Sequence, residues 1–481
     1  MHPTIGPVLP GAFRALCAVL EIETGKFARA LGISRNTLRR IATGKTRLTE
    51  AHQEAAMAFL GATPEELEAA VSLATLMAEN RKDAQAGHVP PGAKSRRGRF
   101  AKAFDAAVRD TRALLETKLR GIEAEEAREE AAGLWQELAT WPQRERILFV
   151  ETRDEFLTPA FIARLCDESE KAAARKASEA VELADLALKV AGRAPGTEAQ
   201  RAGRLGYSWA FVGNAGRVSN KLGEADAAFA SSCELCLLGY GEEPEFFDPA
   251  RPLDLEASLR RNQGRFGEAL ILLERALQIC WPSSRPRILL KQAATLEQEG
   301  EPEKALAALD EAHPAIERGE GDPRFRRVLR FNVIKNLLHL ERPGEAAALL
   351  PELKALSVDT DNDLDKLRLR WLEAVVQAGL GQRDEALAEL GAVRREFSRQ
   401  NLPGDSAIAG LYEAQVLLGD GRNAEVRTLT REMRPIFDTL GLELEALAAV
   451  RLFLEAVERD AATVALAREA ARCICRLPRR A

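Results

Sequence analysis

Aromatic side chains are scarce in this 481-residue chain, at 5%, with only three Tyr and five Trp. Ala, Leu, Glu and Arg dominate instead, which predicts a chain that is nearly all helix. Cysteine is sparse too. Seven is an odd count with no disulfide-like framework, and it suits a reducing compartment. The close pairs Cys233-x-x-Cys236 and Cys473-x-Cys475 sit in helical patterns away from any His, so small packed thiols are expected rather than a zinc or redox centre. The five His (His2, His52, His88, His313, His339) are scattered without metal-ligand spacing, and no GxSxG occurs. Gly44-Lys45-Thr46 ends like a phosphate-binding loop, but Arg39 stands where that loop requires Gly and the run follows a helix, not a strand. No enzyme activity and no cofactor are therefore expected. Apolar runs fall short of the ~18 residues that a membrane helix needs. The opening MHPTIGPVLPGAF has neither the basic region nor the apolar core of a signal peptide, so a cytoplasmic protein without a membrane partner is expected.

What is present is an asymmetry of charge. The whole chain carries a net charge of -5, yet residues 1–100 hold 14 basic against 9 acidic side chains, +5, which leaves -10 for the remainder. Between Thr24 and Leu48 there are seven Lys or Arg and no acidic residue. A block of one sign in a chain of the other points to a polyanion partner.

The apolar spacing in that block specifies which kind. Thr24 caps a predicted helix to Leu31, with Phe27, Ala28 and Leu31 on one face. Gly32 follows where a left-handed backbone is easiest, Ile33 plugs the corner and Ser34 is suited to N-cap the next helix. That second helix, about Arg35 to Thr43, buries Leu38 and Ile41 and turns Arg35, Asn36, Arg39 and Arg40 outward, before Gly44 ends it. Such a helix enters the major groove with its N-terminal residues at base edges, where Arg pairs with guanine and Asn with adenine. Arg40, Lys45 and Arg47 are expected mainly on phosphates.

From about Gly11 to Val71 the pattern resembles the lambda-repressor-like (Cro/XRE-type) DNA-binding family. Phe27-Ala28, Gly32-Ile33-Ser34, Leu38, Ile41 and Gly44 stand at its signature positions. Flanking helices at Ala12 to Leu20 and Glu50 to Leu60, and a capping box at Thr63-Pro64-Glu65-Glu66, complete its five helices. The resemblance implies that Thr24 and Thr43 contact phosphate and that Arg35, Asn36 and Arg39 read bases in double-stranded DNA. Thr24 replaces the family's usual Gln and Ala42 a common Glu, so the base code does not transfer.

Residues 1–79 are assigned to this domain and 80–99 to a flexible basic linker. Its Lys94, Arg96, Arg97 and Arg99 suit either phosphate contacts or a plain solvated tether. Residues 100–170 are read as a helical adaptor, with Trp135, Leu138 and Trp141-Pro142 marking a packed helix end; homodimerisation through it is the sharper alternative. From 171 to 481 one phrase returns. RFGEALILLERAL (265–277), EPEKALAALDEAH (301–313), RPGEAAALLPELK (342–354), QRDEALAELGAVR (382–394) and RNAEVRTLTREMR (422–434) align without gaps. Copies at 176–188, 221–233 and, degenerate, 459–471 join them. Each places a small or medium residue at one point: Ala180, Ala225, Ala269, Ala305, Ala346, Ala386, Val426 and Thr463. An amphipathic stretch precedes each phrase, so the unit is a helix pair and the array an α-solenoid.

Gly264, Phe266, Ala269, Leu273 and Ala276 resemble the second helix of a tetratricopeptide repeat. The expected fold is thus all-α, a five-helix lambda-repressor-like domain followed by a tetratricopeptide-like α-solenoid. A helix-turn-helix joined to such repeats resembles the RRNPP-type peptide-sensing regulators. That resemblance implies a transcriptional regulator whose concave repeat face holds a peptide or protein ligand, often through Asn; Asn214, Asn332 and Asn336 lie on first helices. A homodimer is expected, since one small helix-turn-helix makes few base contacts and two half-sites multiply affinity. The alternative is an interaction scaffold with a vestigial or docking helix-turn-helix. Operator, effector and sign of regulation are not encoded in these patterns.

Overall fold

The computed structural model describes residues 120–476 apart from 240, 320–321, 359–361 and 441–443, together with Ala28, Arg29, Gly32, Ile33, Ser34, Asn36, Thr37, Arg40, Ala51 and Ala55. The chain divides into two compact units, Met1–Glu130 and Ala131–Ala481. All regular structure among the described residues is helical, and none of their helices is long and apolar enough to cross a membrane.

A helix over 120–139 is followed by α1 (Gln143–Thr152) and a short 3-10 turn, Asp154–Phe156. Trp135 and Leu138 are buried as the sequence suggests, but Trp141 is 44% exposed, with its ring edge-on to Phe149 at 5.2 Å. Eight helix pairs follow among the described residues. They are α2 (Pro159–Ala173) with α3 (Ala177–Arg193), α4 (Glu198–Val218) with α5 (Leu222–Leu238), and α6 (Arg251–Asn262) with α7 (Phe266–Ile279). Next come α8 (Arg285–Glu299) with α9 (Pro302–Glu317), and α10 (Arg324–His339) with α11 (Pro343–Ala355). The last are α12 (Asp363–Gly379) with α13 (Arg383–Arg399), α14 (Pro403–Gly419) with α15 (Asn423–Thr439), and α16 (Leu444–Glu458) with α17 (Val464–Arg476).

The turn within these pairs has a recurrent chemistry. Asn220, Gly264, Gly300, Glu341, Gly381 and Gly421 all adopt positive φ, between 57° and 95°. Each lies five residues before the small residue of its phrase. The next residue's N–H donates back to a carbonyl five residues earlier, as from Arg265 to Arg260 and from Glu301 to Leu296, both 2.9 Å. This is the helix-ending geometry that needs a left-handed residue, and Gly supplies it at four of the six positions. The second helix then starts at once, with Pro302 and Pro343 at the first helical position, where a missing N–H costs nothing.

Three residues into each second helix lies the small side chain, and Ala180, Ala225, Ala269, Ala305, Ala346 and Ala386 are all wholly buried. The last copy corrects the sequence reading. Helix α17 begins at Val464, so Thr463 is not its small core residue but its cap, with its hydroxyl accepting from Leu466 N at 3.3 Å. Ala467, fully buried, takes the equivalent place. A cap and a small core residue are both short side chains, which is why the phrase slid by four residues.

Packing follows the chain. First helices α2, α4, α6, α8, α10 and α12 each touch the next first helix as well as their own partner, so with α14 they form one continuous row. In the last pair the order changes: α17, the second helix, packs on α14 and reaches back to α8. Pair α4/α5 is the tightest. A Cβ at Gly206 would lie 2.6 Å from Cys236 N, and one at Gly213 would lie 2.7 Å from the Phe229 ring, so glycine there sets how closely the helices approach.

Candidate functional site

In the first unit eight of the described residues, from Ala28 to Arg40, fall on the turn that the sequence singles out and the helices beside it. Gly32 has φ +65°, its N–H donates to Arg29 O at 3.0 Å, and Ile33 N donates to Ala28 O at 2.9 Å. Ser34 Oγ accepts from Thr37 N at 3.0 Å, so Ser34 caps the following helix as its residue type predicts. Ala28 is buried, which leaves room for a close helix crossing. Asn36 and Arg40, one turn apart on the second helix, are both exposed. Thr24, Arg35, Arg39, Thr43, Lys45 and Arg47 lie outside the described residues.

In the second unit the row of first helices carries two polar clusters. The first is a closed charge network. Asp254, fully buried, receives Arg251 Nη1 on both carboxylate oxygens at 2.9 Å, Arg287 Nε at 2.9 Å and the Lys291 ammonium. Arg251 also pairs with Glu170 of α2, so one network ties α2, α6 and α8 together. Burial would raise the Asp254 carboxyl, but Arg251, Lys291 and Arg287 outweigh it and hold the group well below the usual carboxylate range. Burial pushes the Lys291 ammonium down to about 7 against the pull of Asp254, with Arg251 and Arg287 adding to the push. Arg287 Nη2 reaches on to Asp248 Oδ2 at 3.6 Å, an ion pair without a hydrogen bond, and the network joins helices.

The second cluster is open. A cavity of about 260 Å³ lies between the inward faces of α6, α8, α10, α12 and α14. Its polar lining includes Glu297, Gln298, Lys335 and His339; its apolar lining includes Phe331, Trp371, Ile408 and Tyr412. Glu297 accepts from Lys335 Nζ at 2.8 Å and lies 3.2 Å from His339 Nε2. Burial alone would raise its carboxyl; Lys335 and His339 reverse that and keep it below the ordinary range. Trp371 and Tyr412 meet edge-on, centroids 5.5 Å apart. Helix α17 contributes Cys475 to the lining, accepts Gln298 Nε2 on the Cys475 carbonyl at 3.4 Å, and sends Arg476 Nη2 to Glu299 O at 3.0 Å.

Of the three asparagines singled out from sequence, only Asn332 lines this cavity. Asn214 is buried with its Oδ1 held by Arg217 at 2.8 and 3.1 Å, and Asn336 donates to Asn332 O within its own helix. The sequence reading passed over Glu297, Lys335, His339 and Trp371. A signal for them exists in hindsight. Glu297 and Gln298 stand 8 and 7 residues before Ala305, and Lys335 and Asn332 stand 11 and 14 before Ala346. Trp371 and Arg368 stand 15 and 18 before Ala386. Steps of three or four mark one stripe along α10 and α12.

The described residues between Ala28 and Arg40 run helix, turn, helix, and residues 11–70 match a protein family described as a helix-turn-helix domain. No curated protein matches the chain.

Proposed function

We propose that this protein is a sequence-specific, DNA-binding transcriptional regulator whose helical array senses a peptide or protein partner. The observation that carries the first half is the agreement of three things in one segment: the family match over 11–70, the left-handed Gly32 turn with its Ser34 cap, and the acid-free run of seven basic side chains. In this reading Arg35, Asn36 and Arg39 meet base edges, while Thr24, Arg40, Thr43, Lys45 and Arg47 hold phosphates. The eight pairs act as a tetratricopeptide-like solenoid of the kind found in peptide-sensing regulators. Their row of first helices, with its cavity, offers the partner a concave face, and a homodimer presents two helix-turn-helix modules to two half-sites.

Genomic footprinting followed by fluorescence anisotropy on a recovered site tests it. Arg35→Ala with Arg39→Ala should lose about 1–3 kcal/mol per base contact and relax selectivity. Lys45→Ala should weaken all sequences alike and flatten the salt dependence. A double variant that binds and selects DNA like the parent refutes the assignment. Light scattering separates a dimer from a monomer on the same samples.

A further inference from the structure

We infer that the cavity beneath α17 is a binding site for a small organic anion: a carboxylate joined to an apolar or aromatic body. This deepens the proposal that the inner face of the array is its sensing surface.

Size comes first. At about 30 Å³ per water, 260 Å³ holds roughly nine waters, or a ligand of roughly ten to fifteen non-hydrogen atoms. That is one amino-acid-sized group, just under the ~300 Å³ at which small-molecule pockets begin.

Charge comes second. Residues 131–481 are net -8, yet the lining holds three basic side chains, Arg261, Lys335 and Arg368, against two carboxylates, Glu297 and Asp405, with His339 in addition. The cavity reverses the sign of the unit that contains it. Lys335 uses one of its three ammonium N–H groups on Glu297, so it has donors left for a second carboxylate.

Shape comes third. In a chain with 5% aromatics, Phe331, Trp371, Phe397 and Tyr412 gather on one cavity, Phe331 and Trp371 each one turn from a basic side chain, Lys335 and Arg368. A ligand with its apolar body on these rings and its anion toward Lys335 satisfies both. Such a group reaches the site as a free molecule or as the C-terminal residue of a peptide.

The test is calorimetry on the full chain with N-acetyl-L-phenylalanine, its carboxamide, and a hexapeptide ending in free Phe. The acid should bind one per chain, and the carboxamide at least tenfold more weakly. Glu297→Gln with Lys335→Gln removes the pair without stranding a buried charge. That variant should keep the parent's helical circular dichroism and lose tenfold or more in affinity for the acid, and Trp371→Phe should weaken acid and peptide together. A peptide that outbinds the free acid identifies a C-terminus as the source; the reverse order identifies a free molecule. Equal binding of acid and carboxamide, no binding of acid or peptide below 10 mM, or parental affinity in the folded double variant overturns the inference. The measurement needs no DNA, so failure of the operator reading leaves it intact. A bound acid that leaves DNA affinity unchanged would refute sensing and keep the site.

Discussion

Replacing Asp254 by Asn is the sharpest probe of what holds the first helices together. The side chain is fully buried and faces Arg251, Arg287 and Lys291 at once. Asn keeps the shape but removes the only charge that this carboxylate gives to three cations. Taking one partner from a buried ion pair costs about 3–5 kcal/mol, because the charges left behind are uncompensated. Over a unit of about 350 residues, with an unfolding entropy near 2.1 cal/mol/K per residue, that lowers the Tm by about 4–7 °C. Lys291→Met should behave oppositely. It removes the most weakly held cation, already pushed down to about 7, and should cost about 1 kcal/mol or less near neutral pH. The pH dependence supplies the internal check. Between pH 7 and the ordinary lysine value of 10.5, Lys291 is neutral when folded and protonated when unfolded. The unfolded chain then binds more protons, so the parent's stability should rise with pH relative to Lys291→Met. Far-ultraviolet circular dichroism melts of the three proteins from pH 6 to 10 decide it. A loss under about 1 kcal/mol for Asp254→Asn, or parallel pH curves for parent and Lys291→Met, would refute the reading.

Gly206→Ala should destabilise the second unit by about 1–3 kcal/mol, since the new methyl meets Cys236 N at 2.6 Å; urea midpoints measure it, and a neutral result would show that α4 and α5 slide apart freely. Leu273→Ala in the wholly buried core of α7 should cost about 2–5 kcal/mol by the same assay. The register of the last pair predicts a contrast. Thr463→Ala should lose only a cap, about 0.5–2 kcal/mol, while Ala467→Leu overpacks a filled site and should cost about 1–3 kcal/mol. Unfolding curves that rank Thr463→Leu above Ala467→Leu in damage would restore the other register.

The parts of the molecule that sequence reveals are those whose chemistry is local. Gly32, Ser34 and Thr37 form their turn within six residues, so residue type alone anticipates the cap. The same is true of Gly264 and Ala269, five residues apart, and this is why seven of the eight phrases fall in register with their helices. Thr463 was misplaced because a capping hydroxyl and a small core residue look alike without the packing. The cavity was out of reach for a different reason. Its lining runs from Arg261 to Cys475 and comes together because five first helices stack side by side and α17 returns to α8, an assembly that no short window of sequence contains. Asparagine was a poor guide because Asn214 and Asn336 spend their hydrogen bonds inside their own helices.

The return of α17 to α8 also sets a clock. Gln298 and Glu299 are bridged to Cys475 and Arg476, 177 residues later. A ribosome adding about 5–20 residues per second makes α8 wait on the order of 9–35 s for that contact. Until then the cavity lacks its Cys475 side on the nascent chain, although most neighbouring pairs can already stack. The helix-turn-helix segment has long since emerged. The nascent protein therefore passes through a period in which that segment is out while one side of the cavity is still missing, a window in which chaperones or a stray apolar ligand meet it in a form that the finished molecule does not present.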